Sequence, residues 1–224
     1  MANEAFLRGQ SFVAGNPYKE GTLELKKTFL IICEGENTEP LYFKGFPVPS
    51  KMVVTEGGCK SKNALVDYAL SIRDLPKYDG REVWCVFDYD IKPDEATSRP
   101  DDFNSAIIKA EAHGMKVAWS NDAFELWFVL HYQTLQAALT RRELYKILKK
   151  KWKLKSFSAE AKRFDFCAGH YDRHQERHDG ASQERAIRRA KGLHDAYQGK
   201  QNFADQVPCT TVYLLVEELN RNIR

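Results

Sequence analysis

Three acidic residues follow two apolar segments of the chain, each at the point where the segment ends. Glu34 comes after residues 29–33, and Asp88 and Asp90 come after residues 83–87. Near-continuous apolar runs of this length are typical of strands buried on both faces of a parallel sheet, where ligands bind beyond the carboxyl ends of the strands. We therefore expect the three carboxylates to meet at one edge of a sheet.

Carboxylates gathered in this way repel one another unless a cation lies among them, and hard oxygen ligands suit Mg²⁺ or Mn²⁺. Gly35 lets the backbone turn sharply beside a ligand, and the spacing of Asp88 and Asp90 lets both reach one ion. The pattern predicts a metal site for phosphate chemistry, with Glu34 as a general base or a further ligand. A solvated turn is the alternative interpretation of the Asp-x-Asp motif.

A fourth acidic residue, Glu125, lies in the segment 121–132, which is apolar nearly all round and predicts a buried helix. Two interpretations of Glu125 remain open. It forms a capping box with Asp122, three residues before it, or it joins the catalytic carboxylates at the metal site.

Basic residues are concentrated in one part of the chain. Residues 141–200 contain 17 Lys and Arg and 8 Asp and Glu, although the whole chain has a net charge of only +3. This asymmetry predicts a polyanionic partner, RNA or DNA, with a solvated helix surface as the alternative. The residues expected to bind nucleic acid are Lys149, Lys150, Lys151, Arg188 and Arg189, together with Lys60 and Lys62 in a glycine-rich loop before a helix.

The composition is that of a soluble globular protein, with 43% hydrophobic and 29% charged residues. No apolar segment approaches the roughly 18 residues of a membrane span, and the N-terminus lacks a signal-peptide pattern, so we expect a cytoplasmic protein. The five cysteines are scattered and odd in number, which is typical of a reducing compartment. We assign none of them to a disulfide.

A zinc site is a further hypothesis for the histidine-rich segment. Cys167, His170, His174 and His178 would share one face of a continuous helix, and histidines four residues apart do bind zinc in helices. The interleaved Arg173 and a glycine at 169 favour a solvated basic helix instead.

The order of apolar and amphipathic segments, β-α-β-α-β-α-β, predicts an α/β fold with a mostly parallel central sheet flanked by helices. We divide the chain into an N-terminal arm (1–24), a catalytic core (25–135) and a basic, mainly helical region (136–224) that packs back on the core. Thr140 and Ser182 are expected to begin helices in that last region, the first through a capping box with Glu143.

Four segments taken together resemble the RloB family and span about residues 27–219. They are Cys-Glu-Gly-Glu-Asn-Thr-Glu-Pro-Leu-Tyr-Phe at 33–43, Val-Phe-Asp-Tyr-Asp at 86–90, Ser-Asn-Asp-Ala-Phe-Glu-Leu-Trp at 120–127 and Thr-Thr-Val-Tyr-Leu-Leu-Val-Glu-Glu-Leu at 210–219. The resemblance implies a Toprim-like fold, whose glutamate and Asp-x-Asp positions are Glu34, Asp88 and Asp90 here.

The resemblance also implies a bacterial or archaeal origin and a role in anti-phage defence, because RloB proteins are similar to AbiL abortive-infection effectors. It implies an ATPase partner of the RloA type and nuclease activity, in some related effectors on transfer RNA. The alternative is a non-catalytic module that senses nucleic acid or a nucleotide while the ATPase acts. The sequence leaves RNA or DNA as substrate, and the oligomeric state, open.

Overall fold

The computed structural model describes residues 27–55, 61–90, 100–175 and 180–223. Its centre is one five-stranded sheet in the order β2-β1-β3-β4-β5. The strands are β1 (Phe29–Cys33), β2 (Lys51–Thr55), β3 (Glu82–Asp88), β4 (Lys116–Asn121) and β5 (Cys209–Thr210). The first four are parallel to one another and β5 is antiparallel to β4, so the predicted α/β fold with a mostly parallel sheet is confirmed.

Helices connect the strands and form most of the C-terminal half. They are α1 (Thr38–Lys44), α2 (Lys62–Ile72), α3 (Pro100–Ala112), α4 (Glu125–Leu130), α5 (Arg141–Lys151), α6 (Phe157–Glu160), α7 (Phe164–Ala168), α8 (His170–Gln175), α9 (Gln183–Asp195) and α10 (Val212–Arg221). Thr140 caps α5 in the predicted capping box with Glu143, and the Ser182 hydroxyl caps α9 by accepting from the Arg185 amide. Both predicted helix starts are therefore confirmed.

The apolar strands are covered by helices on both faces. Ile31 and Cys33 belong to a core with side chains from α1, α4, α5, α9 and α10, whereas Leu30 and Ile32 belong to a core with α2 and α3. Successive residues of a strand point to opposite faces, so two packed faces require an apolar residue at every position. This is why β1 contains no polar residue between Phe29 and Cys33.

The C-terminal region contributes a strand to the sheet as well as helices. β5 pairs with the end of β4, where Thr210 lies opposite Ser120, and the Thr211 hydroxyl accepts a hydrogen bond from the Trp119 amide at 2.9 Å. In α10, Leu215 is completely buried in the core that also contains β1. Residues on both sides of position 136 thus share one hydrophobic core.

The cysteines and the lengths of the helices were also the subject of expectations from the sequence. Cys33, Cys85, Cys167 and Cys209 are buried with free thiols, while Cys59 lies outside the described residues. In the described part of the chain, no helix has the length and apolar character needed to cross a membrane.

Candidate active site

The carboxyl ends of β1 and β3 are neighbours in the sheet, and this brings Glu34 and Asp90 together. The Glu34 amide donates to the Val86 carbonyl at 3.0 Å, which continues the β1–β3 pairing one residue beyond the strand. The Lys62 ammonium donates to both carboxylate oxygens of Glu34 at 2.5 and 2.6 Å and to Asp90 at 3.1 Å. Because they share one ammonium, the two carboxylates lie within two hydrogen-bond lengths of each other.

The backbone of Asp90 is in the left-handed region, with a φ of 58°, which aspartate tolerates better than most residues. Its amide donates to the carbonyl of Asp122 at 3.2 Å, which ties the loop after β3 to the loop after β4. Arg141, the first residue of α5, donates to the Asp90 carboxylate at 2.5 Å and to that of Asp122 at 3.2 Å. Sequence reasoning had not connected Asp122 or Arg141 with the site.

Asp88, the last residue of β3, lies near several other carboxylates. Its carboxylate accepts a hydrogen bond from the Phe124 amide at 2.9 Å, just before α4. Burial raises the pKa of Asp88 well above its ordinary value, and the nearby carboxylates of Glu39, Asp90 and Glu125 raise it further against the opposing effect of Arg141. A further cation that enters the site would stabilise the ionised form of Asp88.

Glu125 does not form the capping box with Asp122. α4 begins after Phe124, which makes no side-chain cap, and the buried Glu125 carboxylate instead pairs with the ammonium of Lys162. Lys162 also donates to the Thr38 hydroxyl at 3.4 Å, so it joins α4 to the start of α1. The position of α4 thus does not match the capping-box interpretation, and a catalytic role of Glu125 stays a prediction.

Glu39 is a member of this cluster that sequence reasoning missed. Its side chain folds over Gly35, where an added Cβ would lie only 2.1 Å from the nearer carboxylate oxygen of Glu39. Burial raises the pKa of Glu39 to about 7, partly opposed by Lys162 and reinforced by Glu125 and Glu34. The only available signal was its place in the segment 33–43, which carries the family resemblance.

The site therefore combines an excess of carboxylates with three basic side chains. Within the described residues the carboxylates are Glu34, Glu39, Asp88, Asp90, Asp122 and Glu125, and the cations are Lys62, Arg141 and Lys162. Burial raises the pKa of Glu34 despite Lys62, whereas at Asp90 the opposing effect of burial is outweighed by Lys62 and Arg141, and the pKa is lowered.

The donor set suits Mg²⁺ or Mn²⁺, because all the candidate ligands are hard oxygen atoms. The Lys62 ammonium lies between Glu34 and Asp90, in the position that a metal ion shared by the two carboxylates would take. Among the described residues, no group of three or more His, Cys, Asp or Glu side chains is arranged to hold a metal ion.

The residues predicted to bind nucleic acid fall into different environments. Lys149, Lys150 and Arg188 are exposed on α5 and α9. The Lys151 ammonium lies 5.5 Å from the centre of the Tyr132 ring, and Arg189 donates to the Leu130 carbonyl at 2.6 Å. Lys62 faces the carboxylates instead of solvent, and Lys60 lies outside the described residues.

The zinc hypothesis is not supported by the described residues. The helix is broken at Gly169 between α7 and α8, so Cys167 and the histidines do not share one continuous face. The Cys167 thiol donates to the Ala161 carbonyl, and His170 accepts from Arg173 at 3.0 Å. His178 lies outside the described residues.

Fold and site together define an α/β protein with a carboxylate cluster at the carboxyl edge of a mostly parallel sheet. The family model described as "RloB-like protein" matches residues 29–219, and the chain belongs to this RloB-like family. Neither a curated protein nor a solved structure matches the chain.

Proposed function

We propose that this protein is a metal-dependent nuclease that hydrolyses phosphodiester bonds of RNA, transfer RNA included, or of DNA. The observation that carries the proposal is the excess of carboxylates over basic side chains at the carboxyl edge of the sheet. An excess of this kind favours the binding of a further cation. Burial raises the pKa of Asp88, and the nearby carboxylates of Glu39, Asp90 and Glu125 raise it further.

Glu34, Asp88 and Asp90 would hold the Mg²⁺ or Mn²⁺, with Glu125 beside them. The metal would supply stabilisation of the negative charge that develops on the phosphate. Glu34, at the turn after β1, would accept a proton from the attacking water or complete the coordination. Arg141 donates to Asp90, and its guanidinium would contact a phosphate oxygen near the same carboxylate.

The exposed lysines of α5 and Arg188 of α9 would hold the nucleic-acid backbone, a contribution that does not depend on sequence and weakens as salt rises. Membership of the RloB-like family supports a defence role, with an ATPase of the RloA type as partner. The proposed role is that of an effector that damages nucleic acid during infection.

The decisive experiment compares wild-type protein with Asp88→Asn and Glu34→Gln on total transfer RNA, single-stranded DNA and duplex DNA. We expect cleavage in Mg²⁺ or Mn²⁺, none in EDTA, and a loss of at least ~100-fold in rate for either variant, because each removes a charged oxygen from the reacting centre. Asp88→Asn should fold as the wild type does, since asparagine at 88 can still accept from the Phe124 amide and carboxylate repulsion is relieved. Glu34→Gln should remain folded but melt lower, because Asp90 is then the charged partner left to Lys62.

The matched control is Asp74→Asn, which neutralises an exposed carboxylate paired with Arg73 outside this cluster. It should cleave like the wild type. Cleavage that persists in both site variants, or in EDTA, would exclude the metal mechanism. Binding of nucleic acid without cleavage under any of these conditions would instead favour the non-catalytic sensing module.

A further inference from the structure

Lys62 lies in an unfavourable place for a lysine. It is the first residue of α2, where the unpaired backbone amides of a helix disfavour positive charge, and only 8% of its surface is exposed. Burial of an ammonium carries a large desolvation cost unless charged partners compensate for it. Here the compensation comes from Glu34 and Asp90, which hold the pKa of Lys62 above its ordinary value although burial acts in the opposite direction.

The backbone of Lys62 is fixed independently of its side chain. Its amide donates to the Asp102 carboxylate at 2.8 Å, and the amide and side chain of Asn63 donate to the same carboxylate at 3.3 and 2.7 Å. Ser61 caps the helix by accepting from the Ala64 amide. The start of α2 is therefore anchored to the first turn of α3, and the flexible lysine side chain can move while its Cα remains in place.

The contacts of the ammonium are those expected of a bound cation. It reaches both oxygens of Glu34 and one oxygen of Asp90, while Arg141 occupies the other oxygen of Asp90. A divalent ion shared by Glu34 and Asp90 would have to occupy this same space. The ammonium and a divalent ion cannot both occupy the space between Glu34 and Asp90, because they would need the same carboxylate lone pairs and would repel each other at that distance.

We propose that Lys62 is a positioning residue that serves as the resident counter-ion of the site, and that Mg²⁺ or Mn²⁺ binds only when its ammonium leaves Glu34 and Asp90. This inference rests on the proposed function and specifies how the metal site is regulated. In the absence of metal, Lys62 keeps the two carboxylates close without letting them repel each other. Once displaced, the ammonium remains tethered to the start of α2, whose backbone is held by Asp102.

The test measures Mn²⁺ affinity by calorimetry on the purified full chain, without nucleic acid. Lys62→Met removes the charge and keeps an unbranched side chain, so Mn²⁺ no longer has to break the two ion pairs. We expect affinity to rise about tenfold or more, since hydrogen bonds to charged groups are among the stronger ones in proteins. Lys62→Arg keeps a positive charge at this position and should retain the weaker affinity of the wild type.

The matched control is Lys109→Met. Lys109 also pairs with a carboxylate between α3 and α2, donating to Asp67 at 2.5 Å, but this pair is more exposed and lies apart from the cluster. Its Mn²⁺ affinity should equal that of the wild type. Melting temperatures give a second readout. Without metal, Lys62→Met should melt at a lower temperature than the wild type. Addition of Mn²⁺ should raise the melting temperature of Lys62→Met by more than it raises that of the wild type.

Two results would overturn the inference in distinguishable ways. If the wild type binds Mn²⁺ and Lys62→Met binds it equally or more weakly, Lys62 does not compete with the metal, although the proposed metal dependence stands. If neither protein binds Mn²⁺ while both are folded, the metal-dependent function fails and the inference fails with it.

Discussion

Gly35 is the residue that allows Glu39 to approach the end of β1. The segment 33–43 places a glycine and three glutamates within the six residues 34–39, and the structure shows why the spacing of Gly35 and Glu39 matters. The Glu39 carboxylate occupies the space that a side chain at position 35 would fill. The position of Glu39 in the carboxylate cluster therefore depends on the lack of a side chain at Gly35.

Gly35→Ala is expected to impair the site more than the fold. The new Cβ would lie 2.1 Å from a Glu39 oxygen and 2.8 Å from its carboxyl carbon, so the flexible end of Glu39 must move away. We expect Mn²⁺ affinity and cleavage rate to fall by at least ~10-fold, as for the loss of a group that orients a metal site, with a change in unfolding free energy below about 1 kcal/mol.

Gly192→Ala is the control for this substitution, because a Cβ at that position in α9 meets nothing within 4 Å. It should leave metal binding unchanged and stabilise the protein by about 0.5–1 kcal/mol, since glycine is unfavourable inside a helix. Calorimetry and urea unfolding of both variants make the comparison. Unchanged metal affinity in Gly35→Ala would show that the position of Glu39 is unimportant.

At the scale of elements, α5 connects the carboxylate cluster with the basic surface. Its first residue, Arg141, contacts Asp90, and its last turn contains the exposed Lys149 and Lys150. The helix has eleven residues, so its ends are about 15 Å apart at 1.5 Å per residue. A polyanion bound at the site could extend along this helix. The alternative explanation for these lysines is that positive charges near a helix C-terminus stabilise the helix itself.

Replacing Lys149, Lys150 and Lys151 together by alanine decides between these explanations. If the lysines bind the backbone, affinity for single-stranded nucleic acid should fall, and the slope of log affinity against log salt should flatten by about 0.7–0.9 for each phosphate that the variant no longer neutralises. Anisotropy at several salt concentrations measures both quantities. Mn²⁺ affinity should be unaffected.

A second triple variant with the same change in charge, at the exposed Lys44, Lys77 and Lys200, controls for the loss of net charge. Loss of ATPase binding with nucleic-acid binding retained would instead identify the α5 lysines as a docking surface for the partner. If the variant binds both nucleic acid and the ATPase as the wild type does, the three lysines contribute only to the stability and solvation of α5.

At the scale of the whole molecule, three buried histidines connect the helical region to the core. The rings of His170 and His174 pack against Phe128, and the ring centres of His131 and His174 are 4.6 Å apart. Burial lowers the pKa of His131 to about 3 and those of His170 and His174 well below the ordinary value, with further lowering from nearby positive groups. The folded protein therefore keeps these rings neutral.

This predicts a loss of stability in acid. Below about pH 6.5 the unfolded chain binds protons at these histidines and the folded chain does not, so each destabilises by about 1.4 kcal/mol per pH unit until its folded pKa is reached. The raised pKa values of Asp88 and Glu39 act in the opposite direction, because there the folded state holds the proton more tightly as pH falls. A single-site variant separates the two effects.

His174→Phe should reduce the pH dependence of the unfolding free energy between pH 6 and 4 by about 1.4 kcal/mol per unit, one histidine's share. Phenylalanine preserves the stacking on Phe128, whose ring centre lies 4.5 Å away. Urea unfolding at several pH values provides the measurement, with the exposed His113→Gln as control. Equal slopes for wild type and His174→Phe would contradict the assignment of the acid sensitivity to this cluster.

The sequence by itself determined the α/β architecture, the parallel strands and the meeting of Glu34 with the Asp-x-Asp motif. Those features follow from short-range patterns: apolar runs define doubly covered strands, and parallel strands bring their carboxyl ends to one edge. Helix caps at Thr140 and Ser182 were predictable for the same reason, since a cap and its partner lie within four residues.

Only the tertiary structure decided which cations compensate the carboxylates and which acidic residues join them. Lys62, Arg141 and Lys162 reach their partners across 28, 51 and 37 residues of sequence, and side-chain pairings at such separations leave no periodic pattern in a single chain. The two-residue strand β5 escaped prediction likewise, because it is too short to show alternation and exists only through its pairing with β4.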